Sequence, residues 1–463
     1  MTAPFDPNAL RRLREALPAD RLLTDPADCL AYGYDNSRRV ALPQAVAFAV
    51  SADDVAAVVG VCKDFRVPLV ARGRGTNTTG ATVPIAGGVV LSLERMNRIL
   101  RISPGDRLLE CEAGALNGDV QTEVAKHGLF WAPDPTSAGY STIGGNLGCN
   151  AGGPRAVKYG TARDNLLGLS AITGNGDVIH TGTHTTKGVV GYDLTRLLCG
   201  SEGTLAIITS AVLKLLPKPE AIRTLRAAYA DVPSAAAAVA RLMAQPETPC
   251  AVEFFDGEAV RLAQAYRDCG LPANAGALLL IDVDGATADI ARVQRAVADA
   301  ASGRGLLELR AAKDAAEAEA LWAARKALSP ALRSLAPKKV NEDVVVPVSR
   351  LPELVAGIGE ISKRNQLLIV CFGHAGNGNI HVNLLADPDD PAQMRAIERS
   401  LHEVFRLVLS LQGTLSGEHG VGIDKRDFVG WEIDVATLAL MRDIKRVFDP
   451  HGILNPGKTL PAE

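Results

Sequence analysis

About fifteen glycines lie between positions 139 and 203. Helices and regular strands do not use glycine at that density, because it weakens both. Residues 133–153 are the extreme case, with a small side chain at almost every position. No apolar face is built there, so neither a packed helix nor a packed strand is expected. Backbone this bare suits close approach to a bulky, flat ligand. The whole chain carries 44 glycines but only 4 % aromatic residues, which argues against a nucleic-acid binder that works by stacking. Lys+Arg of 49 against Asp+Glu of 52 leaves a net charge of −3, which excludes a general polyanion-binding or anionic-membrane surface.

A length of 463 residues predicts two or three folded units. Apolar runs place a strand at 45–51, a helix at 54–65 behind an Asp-Asp start, and short strands at 68–71 and 88–92. A strand-like run at 205–216 closes this region, and Pro-Lys-Pro at 217–219 marks a boundary. Beyond it, helices are expected at 233–245, 287–302, 311–335, 351–365 and 391–411. Strands are expected at 251–255, 277–282, 344–348 and 367–372, so this part is a compact α/β or α+β unit. A helix at 437–448 and a turn-rich tail end the chain. No apolar run approaches the roughly 18–20 residues that span a bilayer, and residues 1–14 lack a signal-peptide core. The eight cysteines (29, 62, 111, 149, 199, 250, 269 and 371) are scattered without a C-x-x-C pair. They read as reduced thiols, and a cytoplasmic location is expected.

Arg72-Gly-Arg-Gly-Thr-Asn-Thr-Thr-Gly80 follows a strand. Its glycines let successive backbone N–H groups converge on an anion, and Thr76, Asn77, Thr78 and Thr79 offer side-chain donors to phosphate oxygens. No Walker loop is present, and no G-x-G-x-x-G opens a long helix. Pro133-Asp-Pro-Thr, running on to Thr142-Ile-Gly-Gly and Asn150-Ala-Gly-Gly153, is the second such segment. Tyr192 to Leu205, with Gly200-Ser-Glu-Gly-Thr, is the third.

These three segments resemble the FAD-binding domain of the vanillyl-alcohol oxidase / p-cresol methylhydroxylase superfamily of flavoproteins. The resemblance covers about residues 40–218. It implies that the pyrophosphate lies on Arg72, Gly73, Arg74, Gly75, Thr76, Asn77, Thr78 and Gly80. Pro133, Asp134, Thr136, Thr142, Gly144, Gly145, Asn150, Ala151, Gly152 and Gly153 would run along the flavin, with Glu202, Gly203, Ile207 and Asn455 completing the site. Arg74 and Ala206 stand where the family pattern has glycine, and neither change removes a phosphate donor. Covalent members carry a histidine in the pyrophosphate loop; this loop has none, which implies non-covalent FAD.

Three of the eight histidines sit in two short motifs. In Gly373-His374-Ala-Gly-Asn-Gly-Asn-Ile-His381-Val-Asn383, a strand, a glycine turn and a second strand bring His374 and His381 towards one point. Strand alternation puts His381 and Asn383 on one face. The second motif is Ser416-Gly-Glu418-His419-Gly. Two imidazoles and a carboxylate with an open position make a three-ligand divalent-metal site. The other five histidines read as ordinary hydrogen-bonded residues.

This half resembles the C-terminal substrate domain of FAD-linked D-2-hydroxyacid dehydrogenases. The resemblance implies His374, His381 and Glu418 as metal ligands, Asn383 at the substrate and His419 as catalytic base. The metal would be zinc, with manganese or iron(II) as alternatives. Trp322-Ala-Ala-Arg325 fits the family's W-x-x-R helix, which implies that Arg325 and Ser329, one turn on, hold an acid group. Lys339 is the third candidate, with Lys338 adjacent and the spacing ambiguous. The implied fold class is α+β: a two-subdomain FAD-binding domain at 1–218, a substrate domain with an antiparallel sheet at 219–423, and a segment at 424–463 returning to the FAD domain.

The expected reaction is oxidation of a D-2-hydroxy acid, D-2-hydroxyglutarate or D-lactate, by hydride transfer to flavin N5. Electrons would then pass to an electron-transfer flavoprotein, a quinone or dioxygen. The alternatives are a glycolate oxidase-type flavin subunit, a flavoprotein with a purely structural metal, and a metal-dependent hydrolase with a nucleotide-binding domain. A homodimer is the default assembly.

Overall fold

The computed structural model describes residues 5–266 and 270–462. Cys269 and the first four residues of the N-terminal stretch lie outside them. The chain is α+β and divides into two compact units. One comprises Met1–Gly152, Gly160–Lys218 and Glu418–Glu463, the other Gly153–Tyr159 and Pro219–Gly417.

In the first unit, strands Ala45–Phe48, Val89–Ser92 and Leu69–Arg72 lie parallel in that order. Their nearly continuous burial fits a parallel sheet covered on both faces. Helix Ala52–Phe65 connects two of them. Ser51 caps it by accepting the Asp54 N–H at 3.2 Å, which starts it two residues before the expected position. The free edge at Leu69 is closed by the chain's tail: Leu69 N–H donates to Ile453 O and Asn455 N–H to Leu69 O, both at 2.8 Å. A second, antiparallel sheet has the order Ile99–Ser103, Leu108–Glu112, Ala206–Lys214, Leu166–Thr173, Val178–Gly182.

The bare segment 133–153 departs from expectation. It contains a helix, Ile143–Cys149, capped by Thr142 Oγ1, which accepts the Gly145 N–H at 3.1 Å. Ile143 and Leu147, four residues apart, are its whole apolar stripe, and they join the same core as Ile207. Two residues suffice to dock so short a helix, but they are too few to register as a periodic pattern.

The second unit is built on a seven-stranded antiparallel sheet. Its order is Leu306–Ala311, Ala221–Tyr229, Ala277–Gly285, Ala251–Phe255, Leu368–His374, Asn379–Ala386, Lys338–Val345. Helices Gly257–Tyr266 and Ala315–Ala331 pack together over Phe255, Leu278, Leu280 and Phe372. Helices Ile290–Ala301, Val232–Ala244, Leu351–Asn365 and Pro391–Ser410 form a separate chain of neighbours. Three strands differ from expectation, one of them Ala221–Tyr229, for which no strand was expected. Lys338–Val345 starts six residues before the expected 344, because the polar run Asn341-Glu-Asp343 is accommodated by pairing along Asn379–Ala386. Leu306–Ala311, a half-exposed edge strand, carries too weak an alternation to be read.

Six of the seven described cysteines are buried, and all seven are free thiols. Among the described residues no helix is long and apolar enough to cross a membrane.

Candidate functional site

The loop 72–80 is shaped by close approach. A Cβ on Gly73 would lie 2.3 Å from Thr142 Oγ1, the hydroxyl that caps the helix of the second motif. Gly75 has φ +66°, and a Cβ there would lie 2.1 Å from the buried Arg72 guanidinium. Arg72 itself donates to Tyr34 O at 2.7 Å. The structure therefore brings the first and second glycine segments into direct packing.

Not every expected phosphate donor is available. Asn77 Oδ1 accepts the N–H groups of Thr79 and Ala81 at 2.9 and 3.0 Å and the Thr79 hydroxyl at 3.0 Å. The Asn77 amide donates to His419 O at 3.0 Å and Cys149 Sγ at 3.3 Å. Asn77 and Thr79 thus shape the loop from inside. Arg74 reaches outward to Glu94 at 2.8 Å. Thr78 Oγ1, by contrast, is buried with no hydrogen-bond partner among the described residues. A nest with positive-φ Gly75 and Gly80 and one orphaned hydroxyl fits the phosphates of FAD.

Several other members of this set bond to or pack on nearby backbone. Asp134 N–H donates to Gly152 O at 3.2 Å, and Pro133 O accepts from Asn117 at 3.2 Å. Gly144 is pressed on Ala113, whose carbonyl oxygen would lie 2.9 Å from an added Cβ. Asn150 sits at φ 52° and ends the short helix, while Ala151 is buried and Thr136 and Gly145 are exposed. Gly153 opens the short segment that belongs to the second unit. Asn455 donates to Ala81 O at 2.9 Å and Glu202 O at 2.7 Å. The buried Glu202 carboxylate accepts the N–H groups of Val421 and Gly422, both at 2.8 Å, and the Thr459 hydroxyl at 2.8 Å. Burial lifts its pKa above the usual value, against the opposing pull of those bonds.

In the second unit, strand register gathers polar groups on one sheet face. Glu253 stands opposite His374, Phe372 opposite His381, and His381 opposite Asp343. Asn383 follows on that face between Val370 and Asn341, and Lys339 lies opposite Leu385. The ring nitrogens of His374 and His381 come within 4.8 Å of one another, with the ring planes 85° apart. Asn383 is fully buried. Its amide donates to Val370 O and His381 O at 3.1 Å each, and its Oδ1 has no partner among the described residues.

Glu253 is the residue that sequence reasoning missed. It is fully buried, and its Oε1 lies 2.5 Å from His374 Nδ1 while its Oε2 takes the Arg325 Nε–H. Burial would raise its pKa, but the Arg325 charge and the hydrogen bonds from Arg325 and His374 outweigh burial and hold it below the usual carboxylate value. A buried carboxylate on Nδ1 is the arrangement common to metal-binding histidines. A lone charge inside the apolar run Ala-Val-Glu-Phe-Phe was the available signal. Asp343 was missed as well. Its carboxylate accepts from Asn379 Nδ2 at 2.6 Å and from Gly417 N–H at 2.9 Å, and it lies 3.6 Å from His381 Nδ1.

Arg325 is buried with its guanidinium 4.8 Å from the Phe372 ring centroid. One turn earlier on the same helix, Trp322 Nε1 donates to Asp282 Oδ2 at 3.0 Å. One turn later, Ser329 Oγ accepts from Lys339 Nζ at 2.7 Å, so Arg325, Ser329 and Lys339 are brought together. Lys338 is exposed. Glu418 and His419 open the last segment of the first unit, directly after Gly417. The His419 carbonyl is held by Asn77.

Two family models match the chain. The family "FAD binding domain" matches residues 43–182, and "FAD linked oxidases, C-terminal domain" matches residues 218–459. The chain is 38 % identical to "Glycolate oxidase subunit GlcD" of Bacillus subtilis, over 93 % of this chain and 92 % of that one. It is 32 % identical to a "D-lactate dehydrogenase" of Anaerostipes hadrus, over 90 % of each. It is 31 % identical to "D-2-hydroxyglutarate dehydrogenase" of Stutzerimonas stutzeri, over 99 % of this chain and 100 % of that one. The solved structure of p-cresol methylhydroxylase with substrate bound shares the fold, with a TM-score of 0.80 at 17 % identity over 98 % of this chain and 96 % of that one. The chain belongs to the FAD-linked oxidases and is a flavin-dependent oxidoreductase.

Proposed function

We propose that this protein oxidises a D-2-hydroxy acid to the 2-oxo acid, with a divalent metal held by His374, His381 and Glu418. The observation that carries the reading is the pair His374 and His381 on one sheet face, with the Nδ1 of His374 held by buried Glu253. When bound, FAD supplies the hydride acceptor and the metal makes the substrate hydroxyl more acidic.

The protein's own residues do the rest. His419 accepts the hydroxyl proton. Arg325 offers its terminal N–H groups to a carboxylate in fork geometry, since its Nε–H is taken by Glu253. Ser329 and Lys339, bonded to one another, supply a further hydroxyl and a cation. Asn383, two residues past His381 on the same sheet face, has an unclaimed carbonyl oxygen. Three groups able to hold an acid besides the metal suit a dicarboxylic substrate, and D-2-hydroxyglutarate leads the candidates. Glycolate is the second reading, favoured by the 38 % identity to a glycolate oxidase subunit. The hydrolase alternative falls with membership of the FAD-linked oxidases.

An anaerobic panel tests this: D- and L-2-hydroxy acids of rising chain length are mixed with the yellow protein and flavin bleaching is followed. D-2-hydroxyglutarate and D-lactate should bleach it and their L-enantiomers should not. Bleaching in His419→Ala at the rate of the parent would remove His419 as the base. Electrons would leave to an electron-transfer flavoprotein or a quinone, and reoxidation rates with each distinguish them.

A further inference from the structure

Glu253 is fully buried and divides its two oxygens between two residues of different duty. Oε1 meets His374 Nδ1, and Oε2 meets Arg325 Nε. His374 lies on the adjacent strand, in direct register with Glu253. Arg325 lies on helix Ala315–Ala331, far away in sequence. That helix is tied to the sheet a second time by Trp322 on Asp282, one strand over. The guanidinium is further confined by the Phe372 ring. Each side chain therefore has one nitrogen fixed by the same carboxylate.

We infer that Glu253 is a positioning residue shared by the metal site and the acid-binding site, orienting His374 for the ion and Arg325 for the substrate carboxylate. The inference rests on the roles assigned above to His374 and Arg325. The physical reason is one of donors and acceptors. A carboxylate only accepts, so it keeps the His374 proton on Nδ1 and makes Nε2 the unprotonated, basic nitrogen. The same carboxylate fixes the plane of the Arg325 fork, which has to be oriented before it can take an acid in two parallel hydrogen bonds. One buried anion thereby sets the spacing between the ion and the acid clamp, and with it the length of substrate that reaches both.

Two variants of the FAD-loaded protein separate the duties. In Glu253→Gln the single carbonyl oxygen goes to Arg325 Nε–H, and the amide N–H₂ then faces His374 Nδ1. That moves the imidazole proton to Nε2, the ligating atom. Zinc affinity, measured by competition with a chromophoric chelator, should fall roughly 10- to 100-fold. The Kd for 2-oxoglutarate on the metal-free protein, read from the perturbed flavin spectrum, should stay within about threefold of the parent. In Glu253→Met both hydrogen bonds are lost, so zinc affinity should fall and the Kd for 2-oxoglutarate should rise about tenfold or more. Parental zinc affinity in Glu253→Gln, or a parental Kd for 2-oxoglutarate in Glu253→Met, overturns the shared role. Should Glu253→Met fail to fold, Glu253→Gln decides alone. A parent protein that takes up no zinc is a separate outcome: the metal reading itself then falls, together with the His374 half of this inference.

Discussion

Asp343 receives the backbone N–H of Gly417 on Oδ2 at 2.9 Å, while its Oδ1 takes the Asn379 amide at 2.6 Å. A single fully buried carboxylate thus anchors the residue that immediately precedes Glu418 and His419. On the other side of that pair, the His419 carbonyl is bonded by Asn77, and Val421 and Gly422 are bonded by Glu202. Within the first unit, the stretch 419–422 is therefore held by Asn77 and the buried Glu202.

Replacing Asp343 by alanine removes the carboxylate from two donors that keep only their weaker main-chain acceptors, Val344 O at 3.0 Å for the Asn379 amide and Asp343 O at 3.1 Å for Gly417 N–H. The expected loss is about 1–3 kcal/mol of stability in the second unit. Acid-dependent flavin bleaching should fall with it, because the anchor of Gly417 is gone. Urea unfolding followed by fluorescence measures the first effect. An unchanged midpoint in Asp343→Ala would show the anchor to be dispensable.

Gly73→Ala puts a methyl group 2.3 Å from the Thr142 hydroxyl, which is not free to swing because it caps a helix. The loop 72–80 must shift by a sizeable fraction of an ångström, and the phosphate nest opens. The variant should purify with much less FAD than the parent. Full, stoichiometric flavin absorbance in Gly73→Ala would contradict that.

Asp256 gives a pH dependence whose sign follows from its burial. Desolvation lifts its pKa to about 7, although it accepts the Ala259 N–H at 2.9 Å and the Cys371 N–H. The folded chain keeps this proton where the unfolded chain, near its ordinary value of 3.8, has lost it. The contribution is complete below about pH 4 and is lost as the pH rises through 7. Stability of the second unit should decline from pH 5 to pH 8, by at most about 1.4 kcal/mol per pH unit from this group. In Asp256→Asn the decline should flatten; denaturation curves at the two pH values compare them, and an equal decline in both proteins would assign the effect to other groups.

Removal of the metal has its own signature. Dialysis against a strong chelator should abolish bleaching by the D-2-hydroxy acid yet leave the yellow colour, because the FAD nest and the histidine pair are built from different segments. Added zinc or manganese should restore bleaching. Undiminished bleaching after the metal has been stripped to below one-tenth of the protein concentration would refute a catalytic ion.

What could be read from the residues alone has a common character. Gly73 and Gly75 stand out because left-handed or closely packed backbone demands a missing side chain at that very position. His381 and Asn383 fall on one face because alternation along a strand is a local rule. Helix Leu351–Asn365 and strand Ala251–Phe255 match expectation to the residue for the same reason, their periodicity being written within a single segment.

Glu253, Asp343 and Asp282 could not be assigned in this way. Each is one acid in a strand, and its role depends on partners such as Arg325, Asn379 and Trp322 that arrive from other parts of the chain. Helix Ile143–Cys149 was hidden because two apolar residues carry no period. The sequence by itself determined where the backbone must turn tightly and the superfamily pattern that those turns form. Only the tertiary structure decided that one buried carboxylate joins His374 to Arg325, because sheet register and helix docking are long-range packing outcomes that no short stretch of residues encodes.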